Sequence, residues 1–178
     1  QYSRPVPLGG HVMAQPVDCP RNLKLVGFDV DGVFTDGRFY LSDDGIESKA
    51  FFVQDGFGIR QLLEAGIEIV IISGRQSVAV ERRMAELGVK YVIQGCRDKV
   101  AAFDEIAREV GADLAETAFV GDDVPDLPLL QHAGFAIAVA NAVPAVSSAC
   151  AVVTRASGGA GAVREVCEMV LAARAGNA

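Results

Sequence analysis

Asp29 and Asp31 stand two residues apart in Asp-Val-Asp-Gly, and further acids follow in Gly121-Asp122-Asp123 and at Asp126. Between them along the chain come Ser73-Gly74-Arg75 and then Lys99. Carboxylates gathered in one place repel, and they raise one another's pKa unless a cation compensates. A hard, all-oxygen donor set suits Mg²⁺, which commonly takes one or two carboxylates plus waters and phosphate oxygens. Lys99, Ser73 and the backbone N–H groups around Gly74 would serve the other phosphate oxygens. A carboxylate is also a covalent nucleophile toward phosphorus. Brought together, these residues would carry out phosphoryl transfer through an aspartyl phosphate. Taken singly, each has a plainer reading. Asp-x-Asp-Gly is a common turn, Ser73-Gly74 can cap a helix, and Lys99 can be a solvated surface charge. The acids after Gly121 can simply favour a helix N-terminus.

Position decides between these readings, and position comes from the elements. Short apolar runs bounded by turn residues read as buried parallel strands over 23–28, 67–72, 89–93, 117–120, 135–139 and 151–154. Helical patterns alternate with them over 58–64, 77–87, 99–110, 125–131 and 162–173, with Gly66, Gly88 and Gly111 as stop signals. The alternation predicts an α/β fold, a doubly wound parallel sheet with helices on both faces. Ligands of such sheets bind outside the carboxyl ends of the strands. Asp29, Ser73 and Asp122 each fall just past a strand, and Lys99 begins a helix, so all converge on one edge. Residues 37–52 break the rhythm. Two strand-like runs flank Asp44-Gly45, a strong hairpin signal, so a β-hairpin is expected after the first strand.

At 178 residues and 18.7 kDa the chain has room for one domain with a real core. Its formal charge is −7 and its pI about 4.8, which argues against nucleic acid and anionic membrane as partners. Half the residues are apolar (51%) against 22% charged, which excludes disorder. Cys19, Cys96, Cys150 and Cys167 form no C-x-x-C pair, and His11 and His132 have no companion ligand nearby. They read as thiols in a reducing cytosol. The charge-free stretch 127–154 is broken by Pro128, Gly134 and Pro144, and reads as buried core, not as a membrane span. Residues 1–22 read as a flexible arm without the apolar core of a signal peptide, and residues 1–12 as a vector-derived remnant ahead of Met13. Residues 23–178 are then the single folded domain, ending in a glycine-rich tail over 156–178.

Rival motifs fail. There is no P-loop and no G-x-G-x-x-G in the first strand-to-helix turn. Val33 and Phe34 stand where an EF-hand needs its third ligand and the glycine after it. Taken alone, Gly158-Gly159-Ala160-Gly161 reads as a flexible tail or helix entry, with phosphate binding as the alternative.

The ordered set Asp29-Val30-Asp31-Gly32-Val33-Phe34-Thr35, Ile72-Ser73-Gly74-Arg75, Lys99 and Gly121-Asp122-Asp123-Val124-Pro125-Asp126 resembles the four motifs of the haloacid dehalogenase-like phosphatases. The segments 52–60 and 158–167 are similar to signatures of a narrower family, the small 3-deoxy-D-manno-octulosonate 8-phosphate phosphatases of lipopolysaccharide synthesis. The resemblance implies a cytoplasmic, Mg²⁺-dependent phosphatase with Asp29 as nucleophile and Asp31 as general acid and then base. It implies Mg²⁺ on the Asp29 carboxylate, the Asp31 carbonyl and Asp122. Ser73, Gly74 and Lys99 would bind the phosphoryl group, and Asp123 would orient Lys99 and metal-bound water, with Asp126 assisting. Asp31, Arg60, Arg75, Arg83 and the loop Phe52, Val53, Gln54, Asp55 and Gly56 would contact the sugar acid. Gln54 and Ala160 depart from the family pattern, which has basic residues there in many relatives.

The resemblance further implies a homotetramer without a cap domain, its hairpins assembled together and its tail reaching a neighbouring site. Phe39, Tyr40, Ile46, Phe51 and Phe52 fit a buried subunit contact or packing within the chain. Two other readings remain at this stage: a phosphatase for a sialic-acid-type 9-phosphate, and a phospho-acceptor or catalytically silent domain.

Overall fold

The central apolar runs form strands buried on both faces, the condition a parallel sheet requires, and the runs at the two edges are only partly covered. The computed structural model describes residues 19–176, so the expectations for residues 1–18 and for the last two residues lie outside the described part. In chain order the elements are β1 (Leu25–Phe28), β2 (Tyr40–Leu41), β3 (Glu47–Ser48), α1 (Val53–Glu64), β4 (Glu68–Ile72), α2 (Val78–Leu87) and β5 (Tyr91–Ile93). There follow α3 (Lys99–Glu109), β6 (Thr117–Gly121), α4 (Leu127–His132), β7 (Phe135–Ala138), α5 (Pro144–Ser147), β8 (Val152–Val153) and α6 (Ala162–Arg174). The parallel sheet runs β5-β4-β1-β6-β7-β8, with β1 between β4 and β6. One apolar core packs α1, α2 and α6 on one face through Ile59, Met84 and Val166. The other packs α3, α4 and α5 on the opposite face through Phe103, Leu129 and Val146. The doubly wound fold is therefore as expected. Among the described residues no helix is long and apolar enough to cross a membrane.

Four local expectations are corrected. Helix α1 begins at Val53, not Gly58, so Phe52–Gly56 is the first turn of a helix and not a loop. Its glycines are there for close packing. A Cβ on Gly58 would lie 3.0 Å from Cys167 Cβ, where α1 meets α6. The hairpin is present, but its strands are two residues each and its loop is longer than Asp44-Gly45. Gly45 N–H donates to the Ser42 carbonyl at 2.9 Å, and Gly45 takes the left-handed conformation with φ 81°. That is a three-residue turn. Residues 124–126 form a tight 3-10 turn ahead of α4, and α5 was not foreseen.

The glycine-rich segment is the fourth. It packs inside its own chain instead of trailing away. Gly158 N–H donates to Asn141 Oδ1 at 2.6 Å, and Asn141 Nδ2 donates to the Gly32 carbonyl at 2.9 Å. A Cβ on Gly158 would overlap that same Gly32 carbonyl. The helix expected over 162–173 follows as α6, ending at Arg174.

Asp55 ties α1 to α6. The N-cap of α6 is Gly161, which has no side chain to offer, and Asp55 Oδ1 instead accepts from Arg164 N–H at 2.9 Å. Its Oδ2 is buried without a hydrogen-bond donor. Burial lifts the Asp55 carboxyl from 3.8 to about 6, against the pull of Arg164 and Arg83. The folded chain then holds this proton more tightly than the unfolded chain. Stability must fall as pH rises from about 4 to about 6, by roughly 1–2 kcal/mol. Asp55→Asn keeps the acceptor and removes the charge. Its melting temperature should exceed that of the parent at pH 8, and the advantage should vanish near pH 4.5. An advantage of the same size at both pH values would refute the assignment.

Candidate active site

The carboxyl end of β1 delivers Asp29, whose N–H still donates to the Val120 carbonyl of β6 at 3.0 Å. The chain then turns back on itself: the N–H groups of Val33, Phe34 and Thr35 all point to the Val30 carbonyl, at 3.1, 2.9 and 3.2 Å. Gly32 occupies a left-handed position with φ 85°, and a Cβ there would overlap the Asp122 carboxylate. Only glycine lets that acid come so close.

Asp29, Asp122 and Asp126 offer carboxylate oxygens all within 4.8 Å of one another. Lys99, first residue of α3, bridges two of them, donating to Asp29 Oδ1 at 2.7 Å and to Asp126 Oδ1 at 2.6 Å. Asp126 Oδ2 accepts from Asp122 N–H at 3.1 Å. Both Asp126 oxygens are thus engaged, so Asp126 braces Lys99 and the Asp122 backbone. Asp29 and Asp122 are the carboxylates left to face a cation.

The electrostatics agree with that division. Burial, then Asp126, pushes the Asp29 carboxyl to about 6, while Lys99 opposes the rise. Burial, then Asp29 and Asp126, pushes Asp122 to about 7. Burial alone would depress the Lys99 ammonium, but Asp29 and Asp126 outweigh it and hold its pKa above the ordinary value. Two carboxyls lifted this far are short of positive charge, and their donor chemistry fits a hard divalent cation. Ser73 lies at the end of β4, buried, its Oγ accepting from Arg75 N–H at 3.2 Å. Asp29, Ser73, Lys99, Asp122 and Asp126 line one cavity of ≈ 350 Å³, with Asp31, Gly74, Arg75, Arg97 and Asp123 also on its wall.

The comparisons with known proteins bear on this edge. Residues 93–165 match the model of the haloacid dehalogenase-like hydrolases. The chain is 42% identical over 165 residues to the 3-deoxy-D-manno-octulosonate 8-phosphate phosphatase of Escherichia coli, covering 93% of this chain and 88% of that protein. The chain belongs to the haloacid dehalogenase-like family of 3-deoxy-D-manno-octulosonate 8-phosphate phosphatases. A crystal structure of this phosphatase from Moraxella catarrhalis, in complex with magnesium ion, phosphate ion and KDO, matches with a TM-score of 0.85 at 42% identity, covering 88% of this chain and 90% of that one. The Yersinia pestis phosphatase matches at 0.86 and 40% identity, covering 88% and 85%.

Within this phosphatase-family chain the expected site residues divide. Asp29, Asp31, Ser73, Gly74, Arg75, Lys99, Asp122, Asp123 and Asp126 meet at the cavity. The orienting contact to Lys99 comes from Asp126. Asp123 is exposed, and its carboxylate accepts from Val124 N–H at 2.7 Å. The expected sugar contacts Phe52, Val53, Gln54, Asp55, Gly56, Arg60 and Arg83 are not on the wall of this cavity. Arg60 donates to the Glu86 carbonyl at 3.0 Å, and Arg83 pairs with Glu86 at 2.9 Å. Val53 is exposed, Asp55 caps α6, and Gly56 makes room for Arg83. Phe52, Gln54 and Ala160 line a separate depression beside Arg155 and Arg164. The two departures from the family pattern therefore share one surface.

Three residues at or beside the site were not foreseen. Arg97 was hidden in the loop before α3, although its charge two residues from Lys99 was a signal. Asn141 joins Gly32 to Gly158 and carries no charge to betray it. Lys49 pairs with Asp31 from the hairpin, and strand alternation puts it on the same face as Glu47.

Proposed function

We propose that this chain hydrolyses 3-deoxy-D-manno-octulosonate 8-phosphate to the free sugar acid and phosphate, through an aspartyl phosphate on Asp29. It is a phosphoric monoester hydrolase, and the named product places it in lipopolysaccharide synthesis. The observation that carries the reading is Lys99 braced between Asp29 and Asp126 beside Asp122, in a family whose Moraxella member is found with magnesium, phosphate and KDO. Mg²⁺ is the proposed cofactor, held by Asp29, Asp122 and the Asp31 carbonyl, and it would supply neutralisation of phosphate charge.

The remaining work falls to side chains. Asp29 attacks the phosphorus, and Lys99 and Ser73, with the Gly74 backbone, hold the phosphoryl oxygens. Asp31 gives its proton to the leaving C8 alkoxide and takes one back from the water that cleaves the acyl phosphate. Asp126 keeps Lys99 aimed. Arg75, half-exposed at the mouth, is the proposed partner for the substrate carboxylate.

A homotetramer joined through its hairpins belongs to the same proposal, supported by Tyr40, Leu41 and Ile46 at 72%, 66% and 62% exposure. Phe51 and Phe52 are half-buried in their own chain and contribute less. Reach of the C-terminal tail into a neighbouring site belongs to the proposal as well, although Gly158 is itself held by Asn141 of its own chain. Thiols at Cys96, Cys150 and Cys167 support a reducing, cytoplasmic setting.

The test is phosphate release from the octulosonate 8-phosphate, with Mg²⁺ and with chelator, beside a sialic-acid-type 9-phosphate and common sugar phosphates. A Mg²⁺-dependent preference for the octulosonate of about 10²-fold or more in kcat/KM is expected. Preference for the nine-carbon ester would move the substrate assignment, and stable phosphorylation without turnover would replace the enzyme by a phospho-acceptor.

A further inference from the structure

Lys49 has no part in the chemistry above, yet its side chain is 0% exposed. It sits one residue past β3, on the hairpin. Its Nζ pairs with Asp31 Oδ1, lies 3.8 Å from Glu47 Oε1, and stands 6.0 Å from the centre of the Phe39 ring. Arg75 closes the other side: its Nε is 3.7 Å from Asp31 Oδ2, its Nη2 donates to Glu47 Oε2 at 2.8 Å, and its guanidinium lies 4.2 Å over Phe39. A buried ammonium without a partner is costly, so Lys49 in this pocket holds its carboxylate firmly.

We propose that Lys49 is a positioning residue for Asp31, fixing Oδ1 so that Oδ2 is the oxygen that carries the proton to the leaving alkoxide. The inference rests on the aspartyl-phosphate reading. The turn after β1 fixes the Asp31 backbone but leaves its carboxyl free to rotate, and proton transfer needs it held within hydrogen-bond reach of one oxygen. Arg75 is a poor substitute, because it is 48% exposed, too far from Oδ2 for a hydrogen bond, and already bonded to Glu47. The hairpin is thus a second source of site residues, reaching Asp31 as α3 reaches Asp29 through Lys99.

The experiment compares Lys49→Met and Lys49→Arg in the parent and in an Asp31→Asn background. The substrates are the octulosonate 8-phosphate, whose alkoxide must be protonated, and p-nitrophenyl phosphate, whose phenolate leaves without help. Lys49→Met should lower kcat on the sugar ester by about 10²-fold with KM little changed. Its kcat/KM on p-nitrophenyl phosphate should fall by less than about fivefold, since that ratio reports the step in which no acid is required. Lys49→Arg should restore part of the loss. In the Asp31→Asn background Lys49→Met should cost nothing further.

Equal losses on both substrates, or losses that multiply with Asp31→Asn, would overturn the proposal. A rise in KM alone would do so too, by making Lys49 a sugar contact. Should Lys49→Met fail to fold, Lys49→Arg carries the same comparison of leaving groups and backgrounds. If the parent shows no preference for the octulosonate, the substrate reading fails by itself, and the comparison is made on whichever sugar phosphate it hydrolyses.

Discussion

Asp29→Asn is expected to reduce phosphate release by about 10⁴-fold or more, because an amide oxygen cannot form the aspartyl phosphate. The fold should survive. Asp29 is almost fully enclosed and crowded by Asp126, so removing its charge relieves repulsion, while Lys99 keeps Asp126 as a partner. At pH 7.5 and without metal, the variant should melt at or above the temperature of the parent. Turnover within tenfold of the parent, measured on the octulosonate ester with Mg²⁺ present, would remove Asp29 from the role of nucleophile. Asp126→Asn gives the graded counterpart. With one of the two braces on Lys99 weakened, kcat should fall by about 10–10²-fold, short of the Asp29 effect.

The second large effect is the dependence of Mg²⁺ stabilisation on pH. Asp29 titrates near 6 and Asp122 near 7 in the metal-free chain, both well above the ordinary 3.8. In the unfolded chain both carboxyls ionise near that ordinary value. Between about pH 4 and 7 the folded state therefore binds more protons, and its stability falls as pH rises through that window. A divalent cation reverses the sign, since it binds the ionised carboxylates and makes their protonation a competitor. Saturating Mg²⁺ should then raise the melting temperature by about 5–10 °C more at pH 8 than at pH 5. The Asp122→Asn variant should lose most of that difference. A thermal scan in which Mg²⁺ adds the same increment at both pH values would show that these carboxylates do not hold the metal.

How much of this was legible beforehand depends on the distance over which each feature is set. The strands were readable because a strand buried on both faces must be apolar throughout, as Ile69–Ile72 are. Their carboxyl ends then located Asp29, Ser73 and Asp122 without further information. Asp123 was expected to orient Lys99 with Asp126 assisting, and the two were hard to rank because both lie in one acidic loop. The 3-10 turn over Val124–Asp126 carries Asp126 inward to Lys99 and leaves Asp123 exposed on the cavity wall, capping the turn. Gly56 was read as a loop residue and Gly58 as the start of the helix, since a sequence does not show whether a glycine bends the backbone or admits a neighbour. Lys49 stayed hidden because its partner lies across a hairpin with too few paired residues to announce which side faces the site. Arg60 and Arg83 were placed by family likeness, and their observed partner is a third residue, Glu86, which shares with Arg83 a cavity lined by Glu47 and Lys49 of the hairpin.

The position of β1 in the sheet has a consequence for how the site comes into being. Leu25–Phe28 is hydrogen-bonded on one side to β4 and on the other to β6, whose residues are synthesised long afterwards. Until Thr117–Gly121 has left the ribosome, the strand that carries Asp29 has one open edge, and the acids that surround Asp29 do not yet exist. A nascent chain stopped before that point can bury α1 and β4 but cannot assemble a phosphoryl pocket, and its exposed apolar strand is a surface for wrong pairing. Asp29 is made well before the residues that surround it, so the site can assemble only once β6 and the acids that follow it have been made.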